Sequence, residues 1–255
     1  MFRRQRGGGS TLDRPAGPSA ALALDRVGRV YGEGPAALDG VSLTVPAGRF
    51  VAVMGRSGSG KSTLLQCAAG LDRPTSGTVT VGGQPLAALR DRELTRLRRD
   101  RIGFVFQSLN LVPSLTVLEN AALPLLLAGV PDDGRALAAL DGVGLADRAR
   151  DTPDRLSGGQ RQRVAVARAL VTRPDVIFAD EPTAALDPET AAVVLALLRR
   201  AADAGRAVVL VTHDPVAAEW ADEALFLDRG RVADLMTGPD AGRVRRMLRG
   251  LGESR

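Results

Sequence analysis

One lysine stands in this 255-residue chain against thirty-three arginines, and it closes Gly55-Arg56-Ser57-Gly58-Ser59-Gly60-Lys61-Ser62. The spacing is G-x-x-x-x-G-K-[ST], a loop whose backbone amides cradle phosphates while the lysine reaches the outer ones. A compact ammonium fits between such a loop and its ligand, where a planar guanidinium is too wide. That explains why a sequence so biased towards arginine keeps a lysine here. The motif carries this meaning only between a strand and a helix. Phe50–Met54 is a short apolar β-type run before it, and Ser62–Ala69 a helical pattern after it. Gly55, Ser57, Gly58, Ser59, Gly60, Lys61, Ser62 and Thr63 are the candidate ligands of a nucleoside triphosphate.

Phosphoryl transfer also requires a divalent cation and an oriented nucleophile. Asp180 and Glu181 follow Val176-Ile177-Phe178-Ala179, an apolar run of the kind found in a parallel strand buried on both faces. Asp180 has the type and place to hold Mg2+ together with the Ser62 hydroxyl, and Glu181 to orient or deprotonate water. Without the loop, such an Asp-Glu pair would be an ordinary turn or cap. The sole histidine, His213, follows the apolar run Ala207–Thr212. A lone histidine is commonly packed or solvated, but the C-terminal end of a strand in an α/β sheet is where ligands bind. Leu156-Ser157-Gly158-Gly159-Gln160 precedes a helical pattern. A serine and two glycines at a helix N-terminus leave amides free to face an anion, although elsewhere Ser-Gly-Gly is a linker.

Strands must carry these groups. Leu22–Tyr31, Val41–Val45, Gly77–Val81, Ile102–Phe106, Val176–Ala179 and Ala207–Thr212 have β character, and Ala224–Val232 reads as a hairpin turning at Arg229-Gly230. Ala136–Leu140, Gln160–Val171 and Ala191–Ala202 are helical patterns. Strands alternating with helices predict an α/β fold with a mostly parallel sheet, and a stretch from about 86 to 170 predicts an inserted helical subdomain. Residues 1–20, rich in Arg, Gly, Ser and Pro, are expected to be a disordered tail. The folded domain is expected over 21–240, with 241–255 as a C-terminal tail.

Net charge is +5, but the basic residues are dispersed and aromatic residues for base stacking are scarce, so no nucleic-acid partner is expected. The arginines between Arg90 and Arg101 alternate with Asp91, Glu93 and Asp100, as on a solvated helix face. No stretch approaches the ~20 apolar residues of a membrane span. The single Cys67 cannot form an internal disulfide, which fits a reducing compartment.

Together these motifs resemble the nucleotide-binding subunit of an ATP-binding cassette (ABC) transporter, from about Leu22 to Leu235. Gly55–Thr63 resembles the Walker A loop of that family and Val176–Asp180 its Walker B strand. Glu181 matches the catalytic glutamate, His213 the switch histidine and Gln107 the Q-loop residue that reaches the metal. Tyr31 matches the aromatic residue stacked on adenine, Asp187 the D-loop, and Leu156–Gln160 the signature LSGGQ in full. The resemblance implies a P-loop ABC ATPase fold with an antiparallel β subdomain and a helical subdomain. It also implies ATP and Mg2+ as cofactors, with Mg2+ held by Ser62, Gln107 and Asp180. A homodimer forms with ATP in that family, with Ser157, Gly158, Gly159 and Gln160 completing the partner's site. Integral membrane permeases are the implied partners, at the cytoplasmic face of the plasma membrane. Ala184-Ala185 and Arg155 depart from the usual residues around the D-loop and signature.

Gly70–Gly77, Ile102–Gln107 and Asn110–Thr116 are further similar to the macrolide-exporter and lipoprotein-releasing branch, which implies export or extraction. A role in cell division through a permease-like partner is the alternative. A GTPase is excluded, because the guanine-reading Asn-Lys-x-Asp needs a second lysine. DNA-repair and translation ATPases of the family carry coiled-coil insertions or tandem cassettes that are absent here.

Overall fold

The computed structural model describes residues 20–253, so the tail expected over 1–20 lies outside the described residues except for Ala20. Strands β1 (Ala20–Val30) and β2 (Ala36–Pro46) form an antiparallel pair. β3 (Phe50–Gly55) leads through the phosphate loop into α1 (Lys61–Ala68). β4 (Ser76–Val81) and β5 (Gln84–Pro85) follow, then α2 (Asp91–Arg101), β6 (Ile102–Phe106), α3 (Val117–Ala128) and α4 (Arg135–Gly142). The second half runs α5 (Gly158–Leu170), β7 (Val176–Asp180), α6 (Pro188–Asp203), β8 (Ala207–Val211) and α7 (Pro215–Ala218). It ends with β9 (Glu223–Asp228), β10 (Arg231–Thr237) and α8 (Ala241–Glu253).

Two sheets result. One is antiparallel, in the order β2-β1-β4-β5; the other has six strands in the order β10-β9-β3-β8-β7-β6, parallel except for β10. Alternation along the central strands divides the core. Phe50, Ala52, Met54, Ile177, Ala179, Val208 and Leu210 face one cluster with α3 to α6. Val51, Val53, Val176, Phe178, Ala207, Val209 and Val211 face another with α1 and the antiparallel sheet. Both faces being covered explains why these strands are almost wholly apolar.

Register then fixes the site. Val53 pairs with Val211, Val211 with Asp180, and Asp180 with Phe106. The phosphate loop, Glu181, Thr212-His213 and Gln107 therefore leave the sheet at one edge, at the C-terminal ends of four neighbouring strands.

The stretch from about 86 to 170 is helical apart from the β-type run at Ile102–Phe106, which forms the edge strand β6 of the main sheet; α2 buries Leu94 and Leu97 in the same cluster as α1, and α3 to α5 follow β6. Within it, Thr116 caps α3 by accepting from the Glu119 amide at 3.2 Å. Buried Asn120 closes the preceding loop: its Oδ1 accepts from the Val112 amide at 2.8 Å, and Nδ2 donates to the carbonyls of Val112, Leu115 and Thr116.

The C-terminal expectation needs correction. Residues 241–253 are not a tail but α8, with Val244 buried and Met247, Leu248 and Leu251 packed on the core. Their spacing is that of one helical face. Among the described residues no helix is long and apolar enough to cross a membrane.

Candidate nucleotide site

The loop between β3 and α1 is shaped by glycine where no side chain fits. A Cβ on Gly60, whose φ is 104°, would meet the Ala37 carbonyl and Gly230; one on Gly55 would meet the Leu227 carbonyl and Ser59. Gly60 is also the N-cap of α1, so the first amides of that helix are free of intrahelical acceptors and face the loop's concavity. Lys61 Nζ donates to the carbonyls of Gly55 at 2.8 Å and Arg56 at 2.9 Å. Burial lowers its pKa, opposed by the negative charges of Glu181 and Asp180.

One pocket gathers Gly55, Arg56, Ser57, Gly58, Gly60, Lys61, Ser62 and Thr63 with Asp180, Glu181 and His213. Burial raises the Asp180 pKa, and the adjacent Glu181 carboxylate raises it further against the pull of Lys61. A bound cation would reverse that penalty. Glu181 has a left-handed backbone, φ 45°, with its amide donating to the Val211 carbonyl at 2.9 Å. This is a strained conformation for a residue with a side chain, and it turns the carboxylate into the pocket. Two groups hold it there. His213 Nδ1 lies 2.7 Å from Oε1, and the buried Thr212 hydroxyl donates to Oε2 at 3.3 Å. A carboxylate only accepts, so the ring donates from Nδ1.

The signature is built differently from how its residues read in isolation. Ser157 caps α5, accepting from the Gln160 amide at 3.2 Å, while Gln160 Oε1 accepts from the Ser157 amide at 2.9 Å. Gly159 is buried against Thr190, whose methyl group a Cβ would strike; Gly158 has open space around it. Asp187 caps α6, and the hydrogen bond from Thr190 holds its carboxyl below the usual range.

A family model described as ABC transporter matches residues 38–184, more than half of the chain. The chain belongs to the ABC transporter family. The cassette is 46% identical over 228 residues to the lipoprotein-releasing system ATP-binding protein LolD of Bordetella pertussis, covering 87% of this chain and 99% of that protein. It is 45% identical to the methionine import ATP-binding protein MetN of Mesorhizobium japonicum, covering 88% of this chain and 62% of that one. Its fold matches the ATP-binding cassette MJ0796, solved as a dimer bound to ADP and Pi, with a TM-score of 0.77, 42% identity and coverage of 85% and 98%. The cassette is the ATP-binding, ATP-hydrolysing subunit of a transporter.

Of the residues singled out from sequence, the phosphate pocket holds the loop, Asp180, Glu181 and His213. Ser59 is buried, and its hydroxyl has no hydrogen-bond partner among the described residues. Tyr31, Gln107, Ser157, Gly158, Gly159, Gln160 and Asp187 do not line the pocket. Thr212 escaped the sequence reading; a hydroxyl ending an otherwise apolar buried strand was the available signal. Ala37, which also lines the pocket, had none.

Proposed function

We propose that two copies of this cassette close head to tail on two ATP molecules, each lending its signature residues to the other's phosphate pocket. The observation that carries this reading is the division of labour within one chain: the pocket has cationic and acidic groups, yet none of residues 157–160. A phosphoryl-transfer site gains from charge neutralisation on every side. The exposed cap of α5, with open Gly158, is a free helix N-terminus suited to an anion from another subunit.

Ser62 and Asp180 offer the oxygen ligands that Mg2+ prefers, and Gln107 a third through its amide. The remaining ligands would be phosphate and water oxygens. Bound there, Mg2+ would neutralise charge on the outer phosphates. Glu181 accepts a proton from water or orients it. A protonated His213 can donate to Glu181 from Nδ1 and to the γ-phosphate from Nε2.

The cassette would drive a separate permease from the cytoplasmic face of the membrane. An apolar groove lined by Ile102, Phe104, Phe106, Leu123, Pro124 and Leu127 adjoins Gln107 and offers a surface for it. Export or extraction is the reading supported by the similarity of Gly70–Gly77, Ile102–Gln107 and Asn110–Thr116 to the macrolide-exporter and lipoprotein-releasing branch, with which the 46% identity to the lipoprotein-releasing relative agrees.

Glu181→Gln keeps the shape of the carboxylate and removes its basicity. Size-exclusion chromatography of that variant is expected to show a monomer without nucleotide and a dimer with Mg-ATP, since ligand binding shifts the equilibrium by mass action. Adding Ser157→Arg should abolish the shift. A dimer that survives the second substitution would overturn the two-chain site.

A further inference from the structure

Tyr31 follows β1, and its ring is fixed on two sides. The hydroxyl donates to Asp72 Oδ2 at 2.7 Å. The Arg29 guanidinium lies over one ring face, 4.4 Å from the centroid, and its Nε donates to the same Asp72 oxygen at 2.8 Å. Three side chains thus close a triangle on a single carboxylate oxygen. The Arg29 and Asp72 side chains are each 22% exposed, against 45% for Tyr31.

Asp72 is itself anchored. Its Oδ1 accepts from the Arg73 amide at 2.8 Å, and its own amide donates to the Gln66 carbonyl on α1 at 3.1 Å. Burial pushes the Asp72 carboxyl up, but the bonds from Tyr31 and Arg29 outweigh it and hold the group below the ordinary carboxylate range. The acceptor is therefore ionised at neutral pH. An isolated Arg-Asp pair at a surface does little. Here both partners grip an aromatic ring that is itself well exposed.

We propose that Arg29 and Asp72 are positioning residues that lock Tyr31 before nucleotide arrives, with guanidinium on one face and the other face presented to the base. This rests on the reading of Tyr31 as the base-stacking residue. A stack of guanidinium, phenol ring and purine follows, in which cation–π and π–π contacts share one ring. Because the ring is ordered in advance, binding does not have to immobilise it.

The test uses the full chain, with ATP affinity from calorimetry, KM and kcat for ATP, and binding of tripolyphosphate, which has no base. Asp72→Ala and Arg29→Gln are each expected to weaken ATP and raise KM by roughly 3- to 10-fold, the worth of ordering one side chain. Maximal rate at saturating ATP should move far less, and tripolyphosphate affinity should stay at the wild-type value. In a Tyr31→Ala background, Asp72→Ala should add nothing, because its effect passes through the ring. Equal losses with and without Tyr31, or parallel loss of tripolyphosphate, would mean that Asp72 only supports the loop after α1 and would overturn the proposal. A weakened Tyr31→Ala beside an unaffected Asp72→Ala removes the lock alone. Full ATP affinity in Tyr31→Ala removes the stacking role and the lock with it.

Discussion

Arg168 of α5 donates from Nη1 to the Asn110 carbonyl at 2.6 Å, and its Nη2 reaches the neighbouring Leu109 carbonyl at 2.7 Å. Leu109 and Asn110 have left-handed backbones, φ 61° and 49°, and follow Gln107 by two and three residues. The helix that begins with the signature thus holds the strained turn behind the candidate metal-reaching glutamine. Burial lowers the Arg168 pKa, and carbonyls rather than carboxylates satisfy it.

Arg168→Lys keeps the charge but cannot span both carbonyls. With charge-assisted bonds worth about 1.5–3 kcal/mol each, the variant is expected to lose on the order of 2 kcal/mol in urea unfolding. Amide exchange should rise locally at residues 107–110. Wild-type protection at those amides would show that the turn stands without Arg168.

Lys61→Arg preserves charge and changes shape. Nζ must fit against the carbonyls of Gly55 and Arg56, which a guanidinium is too broad to do. ATP turnover is expected to fall on the order of a hundredfold or more, the scale set by removing one preorganised charge-stabilising donor. Near-normal ATPase kinetics would refute the fit argument.

The two signature glycines should separate under mutation. Gly159→Ala forces a methyl into Thr190 and is expected to cost about 1–3 kcal/mol of stability, as overpacking does. Gly158→Ala meets open space and should leave thermal unfolding almost unchanged while reducing ATP-dependent dimerisation. The pair of measurements fails if both variants behave alike.

Burial pushes the Cys67 thiol up to about 11, well above the range of an ordinary thiol. The folded chain therefore keeps the thiol protonated where the unfolded chain ionises it. The associated stability is complete below about pH 9 and is lost as pH rises towards 11, on the order of 2–3 kcal/mol in total. A Cys67→Ala variant should lack this component of the alkaline decline. Identical pH profiles for the two proteins would exclude Cys67 as its source.

What the sequence made legible was local. The phosphate loop, the strand before Asp180 and the cap at Ser157 are each specified within a dozen residues, and the strands that meet on both faces announce themselves by being wholly apolar. Contacts between distant segments were illegible. Asp72 lies 41 residues from Tyr31, and Arg168 lies 58 from Asn110; nothing in either residue names its partner. Helix α8 was hidden for another reason. Its four apolar anchors are diluted by arginines and glycines, so its composition is that of a tail although its spacing is that of a helix. The different burdens on Gly158 and Gly159 depend on Thr190, a full element away.

Lys61 has a practical consequence for anyone handling the protein. It is the chain's only side-chain amine, and burial makes it less basic than an ordinary lysine. An acylating reagent therefore meets two targets, this residue and the N-terminal amino group. A lysine-specific protease finds one bond to cut, where the phosphate loop passes into α1, and would release two fragments of unequal mass. Occupancy of the loop becomes a yes-or-no reading in a mass spectrum, with no engineered label.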